Sequence, residues 1–137
     1  MGRVAIAYVT TAVVFLVLDG GWLAVAGPRL YRPELGSLLA DKVRIAPALV
    51  FYLMYVAGLV YFAVLPGAAA GWRAALVPGV VLGVLAYGTY DLTCAATMAR
   101  WSTKVTVADM IWGGVASGAA ATIGALVTRA LAGKLGG

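Results

Sequence analysis

Three aspartates are the residues of this sequence whose type and position could do chemistry. Asp19, Asp91 and Asp109 each interrupt an apolar stretch that is long enough to cross a membrane. A carboxylate in hydrocarbon is costly, and ionisable residues in such stretches usually mark a function. Because a desolvated carboxyl group can hold and transfer a proton near neutral pH, all three are candidate catalytic residues.

Aromatic side chains that can donate hydrogen bonds accompany these aspartates. Trp22 follows Asp19 by three residues and Trp112 follows Asp109 by three, so each indole shares a helix face with its carboxylate. Tyrosine hydroxyls and indole N–H groups can hold a carboxylate where water is absent. The sequence therefore predicts a ligand-binding site formed by Asp19, Trp22, Tyr52, Tyr87, Tyr90, Asp91, Thr93, Asp109 and Trp112.

Three carboxylates at one level cannot all be ionised cheaply unless a cation is present. We therefore expect at least one of them to be protonated or to be accompanied by a cation. The alternative is that the aspartates only join helices through hydrogen bonds to tyrosine, tryptophan or threonine side chains.

The composition places the chain in a bilayer. Of its 137 residues 64% are hydrophobic and 11% are charged, whereas a soluble domain has about 25% charged residues. We expect one integral membrane domain over residues 1–137. The net charge of +5 is dispersed without the basic stripe of a nucleic-acid-binding protein, so no nucleic-acid partner is expected.

Residue types also limit the cofactors. There is no histidine and only one cysteine, Cys94, which excludes disulfides, Cys/His zinc sites and bis-histidine haem within one chain. No phosphate-binding or dinucleotide-binding motif is present. We therefore expect no metal and no cofactor.

Four apolar segments predict an all-α membrane protein, a bundle of four transmembrane helices at about 4–26, 45–65, 74–99 and 105–131. Leucines recur at helical spacing after Pro33, which predicts an interfacial amphipathic helix between helices one and two; an ordinary loop is the alternative. Small residues at helical spacing predict helix-packing faces. They are Gly79 and Gly83 on helix three, and Gly113, Ser117, Ala121 and Gly124 on helix four.

Antiparallel helices bring the loops 27–44 and 100–104 to one side of the membrane. At 1.5 Å per residue, Asp19, Asp91 and Asp109 lie roughly 10, 12 and 6 Å below that side, and thus in one leaflet. Six lysines and arginines lie on this side and four on the other. The positive-inside rule then places these loops in the cytoplasm and both termini outside, in a multi-pass protein of the bacterial inner membrane.

Several short motifs resemble one bacterial membrane family, catalogued as domain of unknown function 2177. The resemblance covers nearly the whole chain, and the Tyr-Asp-Leu-Thr and Asp-x-x-Trp-Gly motifs are its most specific parts. Cys94 stands where the family pattern has a polar residue, often asparagine. The resemblance implies the fold and the polar positions but no activity. The matching residues are Leu18-Asp19-x-x-Trp22, Phe51-Tyr52, Tyr87-x-x-Tyr90-Asp91-Leu92-Thr93, Trp101-Ser102 and Asp109-Met110-x-Trp112-Gly113.

The leading functional hypothesis is a site in one leaflet that binds, or helps to modify, a lipid or other amphiphile, with membrane lipids as the partners. One alternative is a proton- or cation-coupled transporter or channel component, which would need a homo-oligomer because four spans are few for a pore. Another is a structural subunit that stabilises a partner membrane protein. The first hypothesis requires a pocket that opens sideways to the acyl chains.

Overall fold

The computed structural model describes residues 2–42 and 44–134 of the chain. Four helical segments in these ranges are long and apolar enough to cross a membrane, and no strand occurs in them. We call them spans 1 to 4; they are Gly2–Leu38, Ile45–Ala70, Arg73–Thr97 and Thr103–Lys134. The predicted all-α bundle of four membrane helices is confirmed.

Span 1 continues beyond the predicted end of helix one. Its α-helix Gly2–Ala26 is followed by a π-helical turn, Gly27–Tyr31, and by the short α-helix Arg32–Leu35 and a 3-10 turn, Gly36–Leu38. A π turn is wider than an α turn, which leaves room for the Pro28 ring that would otherwise end the helix. The helical turns predicted after Pro33 are thus present as the last turns of span 1, up to Leu38. Val43, the last residue of that predicted pattern, lies outside the described residues.

Span 2 has a similar interruption. The α-helix Ile45–Leu59 passes through a π turn, Val60–Val64, into the α-helix Leu65–Ala70, which contains Pro66. Only Gly71 and Trp72 separate it from span 3. Gly71 has φ +123°, a backbone conformation that side-chain-bearing residues rarely adopt, so a glycine is required for this tight reversal.

Spans 3 and 4 are packed against each other through glycine, serine and alanine. A Cβ atom on Gly79 would lie 2.9 Å from the Ala121 Cβ and 3.0 Å from the Ser117 carbonyl oxygen. A Cβ atom on Gly83 would overlap the Gly113 carbonyl oxygen. Of the small-residue faces predicted on these two helices, Gly79 and Gly83 pack against Gly113, Ser117 and Ala121 within one chain, whereas Gly124 packs against Thr11 of span 1 and Val64 of span 2.

The end of the bundle that contains the span 2–span 3 turn is filled by an apolar cluster. Eight residues form it: Ala7, Val56, Val60, Ala63, Val64, Ala75, Ala121 and Ala125, each with 5% or less of its surface exposed. Spans 2 and 3 approach each other mainly along Val60–Val64 and Leu65–Ala70, whereas the earlier helix Ile45–Leu59 stands away from span 3. The bundle is therefore closed at this end and open between spans 2 and 3 at the other.

The opposite end is held together by polar contacts between two connecting segments. Ser102 precedes span 4, where its Oγ accepts a hydrogen bond from the Val105 N–H at 3.2 Å and caps the helix. The same hydroxyl donates to Glu34 at 2.6 Å, and Arg100 donates to Ser37. These bonds join the end of span 1 to the turn between spans 3 and 4.

Candidate functional site

Asp19 is the point at which all four spans meet. One carboxylate oxygen accepts a hydrogen bond from the Tyr52 hydroxyl of span 2. The other accepts from the Trp112 indole of span 4 at 3.2 Å and from the Tyr87 hydroxyl of span 3 at 3.4 Å. Asp19 is 5% exposed. Three donors from three different helices thus satisfy a buried carboxylate, as burial of such a group requires.

Asp109 is reached through a chain of two donors. The Trp22 indole donates to the Tyr31 hydroxyl at 2.7 Å, and Tyr31 donates to the Asp109 carboxylate. The Trp22 and Trp112 rings are stacked, with centroids 4.9 Å apart and planes 8° from parallel. Each indole thus supports the aspartate of the other helix: Trp112 of span 4 donates to Asp19 of span 1, and Trp22 of span 1 donates through Tyr31 to Asp109 of span 4.

Asp91 has a different environment. Its side chain is completely buried, and neither carboxyl oxygen has a tyrosine, tryptophan, threonine or backbone donor among the described residues. Its acidic neighbour is Asp109 of span 4. Two neighbouring carboxyl groups can share a hydrogen bond only if one of them carries a proton.

The three aspartates therefore form two groups rather than one. Asp91 and Asp109 are neighbours, whereas Asp19 has its own donors and is joined to Asp109 through the stacked indoles. In the described parts of the chain, no three aspartate, glutamate or cysteine side chains converge to bind a metal ion. The expectation that at least one of the three carboxyl groups is protonated or accompanied by a cation stays a prediction.

A cavity of about 620 Å³ lies beside the carboxylates of Asp19 and Asp109. This volume is within the usual range for small-molecule sites, roughly 300–1,000 Å³. Its wall is mainly apolar and aromatic, with contributions from all four spans and from the segments that connect them. The lining residues are Asp19, Leu23, Tyr31, Leu35, Leu39, Pro47, Ala48, Phe51, Tyr52, Ala86, Tyr87, Tyr90, Trp101, Val105 and Asp109.

The cavity is open between the first half of span 2 and the second half of span 3. Phe51 and Tyr90, which line it from these two helices, are 45% and 62% exposed. A second, smaller cavity of about 230 Å³ also has Phe51 in its wall and continues along span 2 past Met54 and Gly58, opposite Leu82. We call these two cavities, which share Phe51 in their walls, the lateral cleft; the larger contains the carboxylates and the smaller is almost wholly apolar.

Five of the nine residues predicted for the site line the cavity, namely Asp19, Tyr52, Tyr87, Tyr90 and Asp109. Trp22, Asp91 and Trp112 do not line it; they hold or contact the two lining aspartates. Thr93 is not brought into the cavity: it is exposed, and its hydroxyl donates to the backbone carbonyls of Thr89 and Tyr90 within its own helix.

Sequence reasoning missed Tyr31 as a member of the site. It lies in a segment that its prolines and charges indicate to be a loop, and only the continuation of span 1 through the π turn positions its hydroxyl at Asp109. Trp101 was also not predicted, although it lines the cavity and contacts the Tyr90 ring edge-on at 6.0 Å. The sequence signal for Trp101 was its position in the loop 100–104, on the side of the bundle nearest the three aspartates.

Comparison with known proteins agrees with this fold. The model of the family described as "Predicted membrane protein (DUF2177)" matches residues 4–126, and the chain belongs to that family. No curated protein and no solved structure matches the chain. The protein is thus a multi-pass membrane protein of a family whose description states no activity.

Proposed function

We propose that this member of the family binds a membrane amphiphile, a lipid or another molecule with an acyl-like chain, in the lateral cleft. The polar head would lie beside Asp19 and Asp109, and the chain would follow the apolar groove between spans 2 and 3. The observation that carries the proposal is that a cavity with two carboxylates and a smaller apolar cavity share Phe51 in their walls. A ligand that is polar at one end and apolar at the other matches both.

The route of entry also supports an amphiphile. The cleft opens between two membrane spans, where the exposed side chains Phe51 and Met54 face the acyl chains of the bilayer. A lipid could enter sideways without leaving the membrane, whereas a water-soluble ligand would have to cross this apolar rim. The polar end of the cleft contains a small number of polar groups. In a mainly apolar site, such groups fix the orientation of the ligand's head.

Two packing features favour binding over conduction. The closed end of the bundle is filled by the apolar cluster around Val56, Val60 and Val64, which are at most 5% exposed. The small-residue faces that an oligomeric pore would use between chains are occupied between spans 3 and 4 of one chain. We therefore favour a lipid-binding protein of the inner membrane, with the polar end of the cleft on the cytoplasmic side, over a transporter component.

Gly58 provides a direct test of the cleft. It lines the smaller cavity, and a Cβ atom added there meets nothing within 4 Å, so we expect the ring of a Gly58→Phe variant to occupy that cavity. Gly21→Phe is the matched control, because Gly21 is exposed on span 1 and equally free of neighbours.

The measurement is native mass spectrometry of the protein extracted gently from its own membrane. We expect the wild type and Gly21→Phe to retain a defined amphiphile and Gly58→Phe to lose it, with all three melting at similar temperatures. Retention of the same molecule by Gly58→Phe, or of none by the wild type, would contradict the proposal.

A further inference from the structure

We infer that the head of the bound amphiphile carries an ammonium group. This inference rests on the proposed function and adds the chemistry of the ligand to it. It is drawn from a count of the hydrogen-bond donors and charges that face the larger cavity.

Apart from the Tyr90 hydroxyl, the hydroxyl and indole donors in and behind the cavity wall are already used within the protein. The hydroxyls of Tyr31, Tyr52 and Tyr87 all donate to aspartates. The indole N–H of Trp101 donates to the Thr106 hydroxyl at 3.1 Å, and those of Trp22 and Trp112 are bound as described above. The cavity therefore presents acceptor oxygens and aromatic surfaces, and an anionic head such as a carboxylate or phosphate would find almost no donor.

The charge of the cavity wall has one sign. Asp19 and Asp109 are the ionisable acids among the lining residues, and no lysine or arginine belongs to the described lining. Arg100, which is close in sequence to Trp101, donates instead to Ser37. The wall therefore has the carboxyl groups of Asp19 and Asp109 and no cationic side chain among its described residues to balance them.

Aromatic rings form much of the wall of the larger cavity. Tyr31, Phe51, Tyr52, Tyr87, Tyr90 and Trp101 surround the two carboxylates in the cavity wall. A cation is attracted by the faces of such rings, and aromatic cages of this kind bind quaternary ammonium groups. Carboxylates for the charge, rings for the methyl or methylene groups and a groove for the chain together fit an alkylammonium amphiphile or the ammonium end of a zwitterionic lipid.

The test uses the full-length protein in dodecyl maltoside micelles with three added amphiphiles of the same chain length. Dodecyltrimethylammonium carries the ammonium group alone, dodecylphosphocholine carries it beside a phosphate, and dodecyl sulfate is the anionic control. Binding is followed by tryptophan fluorescence in a Trp72→Phe background. Trp72 lies in the turn at the closed end, so the three remaining indoles all report on the site.

We expect a saturable fluorescence change with dodecyltrimethylammonium at a concentration about tenfold lower than any change with dodecyl sulfate. A similar response to dodecylphosphocholine would identify a zwitterionic lipid head as a source of the ammonium group, and no response to it would restrict the source to a cationic head without a phosphate. Asp109→Asn should weaken binding of the ammonium compound about tenfold.

Tyr90 supplies a variant that leaves the buried network intact, because it is 62% exposed. Tyr90→Leu should weaken ammonium binding about threefold and Tyr90→Phe should not, since only the latter keeps an aromatic face. Equal responses to the cationic and anionic compounds, or a preference for the sulfate, would overturn the inference. If the Gly58→Phe variant still loses its native amphiphile in that case, the proposed function stands and only the ammonium head is rejected.

Discussion

Span 3 has two neighbours and meets them in opposite ways. Towards span 4, Gly79 and Gly83 allow contact with the Ser117 and Gly113 backbone. Towards the first half of span 2, the Ala86 and Leu82 side chains face a cavity instead of a helix. One helix thus carries both the closest packing in the bundle and one wall of its main opening.

The difference shows what sets helix separation in a membrane. Lipid is as apolar as the helices, so helices associate through close packing and interhelical hydrogen bonds. Spans 3 and 4 have small residues and approach closely. Span 2 carries Phe51, Tyr52 and Tyr55, whose rings keep its first half at a distance, while hydrogen bonds to Asp19 and Ser117 (2.6 Å from the Tyr55 hydroxyl) attach it to the bundle.

The largest effect is expected on the packed side. Gly83→Ala places a methyl group against the Gly113 backbone and within 2.8 Å of the Ser117 Cβ, which should lower the free energy of unfolding by roughly 3 kcal/mol. Gly58→Ala, which meets nothing within 4 Å, should change it by less than about 1 kcal/mol. The measurement is reversible unfolding in mixed micelles. Equal stabilities would mean that spans 3 and 4 are not in backbone contact.

The next effect concerns the hydrogen bonds that attach span 2. Asp19→Leu leaves the Tyr52, Tyr87 and Trp112 donors without their acceptor, at a cost of roughly 2–3 kcal/mol. Adding Tyr52→Phe removes one stranded donor and should recover about 1 kcal/mol. A double-mutant cycle by the same unfolding assay measures this coupling. If the two substitutions change the free energy of unfolding additively, the Tyr52 and Asp19 side chains do not interact, which would contradict the hydrogen bond between them.

A smaller effect is expected at the junction above the cleft. Ser102→Ala removes the cap of span 4 and the hydrogen bond to Glu34, and should cost about 1 kcal/mol. Thr103→Ala, at the adjacent exposed position, should stay within about 0.5 kcal/mol. Thermal denaturation followed by circular dichroism distinguishes the two. A Ser102→Ala protein as stable as the control would indicate that this contact does not hold the two segments together.

The smallest stability effect is expected in the cleft itself. Phe51→Ala removes a ring that is 45% exposed, and should change the free energy of unfolding by less than about 1 kcal/mol because little packing is lost. The same variant should lose most of the amphiphile that the wild type retains in native mass spectrometry. A large loss of stability with the ligand still bound would place Phe51 in the packed core rather than in the cleft.

The fold and the level of the aspartates could be predicted because both follow from counting along helices. Apolar length gives the spans, and the rise per residue places Asp19 and Asp109 at a similar height along the bundle. Their partners could not be predicted in the same way. Spacing along one helix pairs Trp22 with Asp19, whereas Trp22 donates through Tyr31 to Asp109 and Asp19 takes its indole donor from span 4.

The continuation of span 1 past Pro28 could not be predicted from the sequence for a different reason. Pro28 and the charges that follow it are typical of a loop, and a single wider turn is enough to continue the helix past them. Because Tyr31 depends on that turn, its role is visible only in three dimensions. The shape of the cleft could not be predicted from the sequence either, because it depends on the distance between two helices and not on a residue pattern.

The bonding of Asp19 has a consequence for how the chain is made. Span 1 emerges first during synthesis, with a carboxylate whose donors belong to spans 2, 3 and 4. The last of these, Trp112, lies 93 residues further along. Until it arrives, the nascent helix carries an incompletely solvated acid in hydrocarbon. The set of donors that satisfies Asp19 is therefore complete only when the fourth helix has been translated, and a chain that stops early leaves part of this carboxyl group without hydrogen bonds.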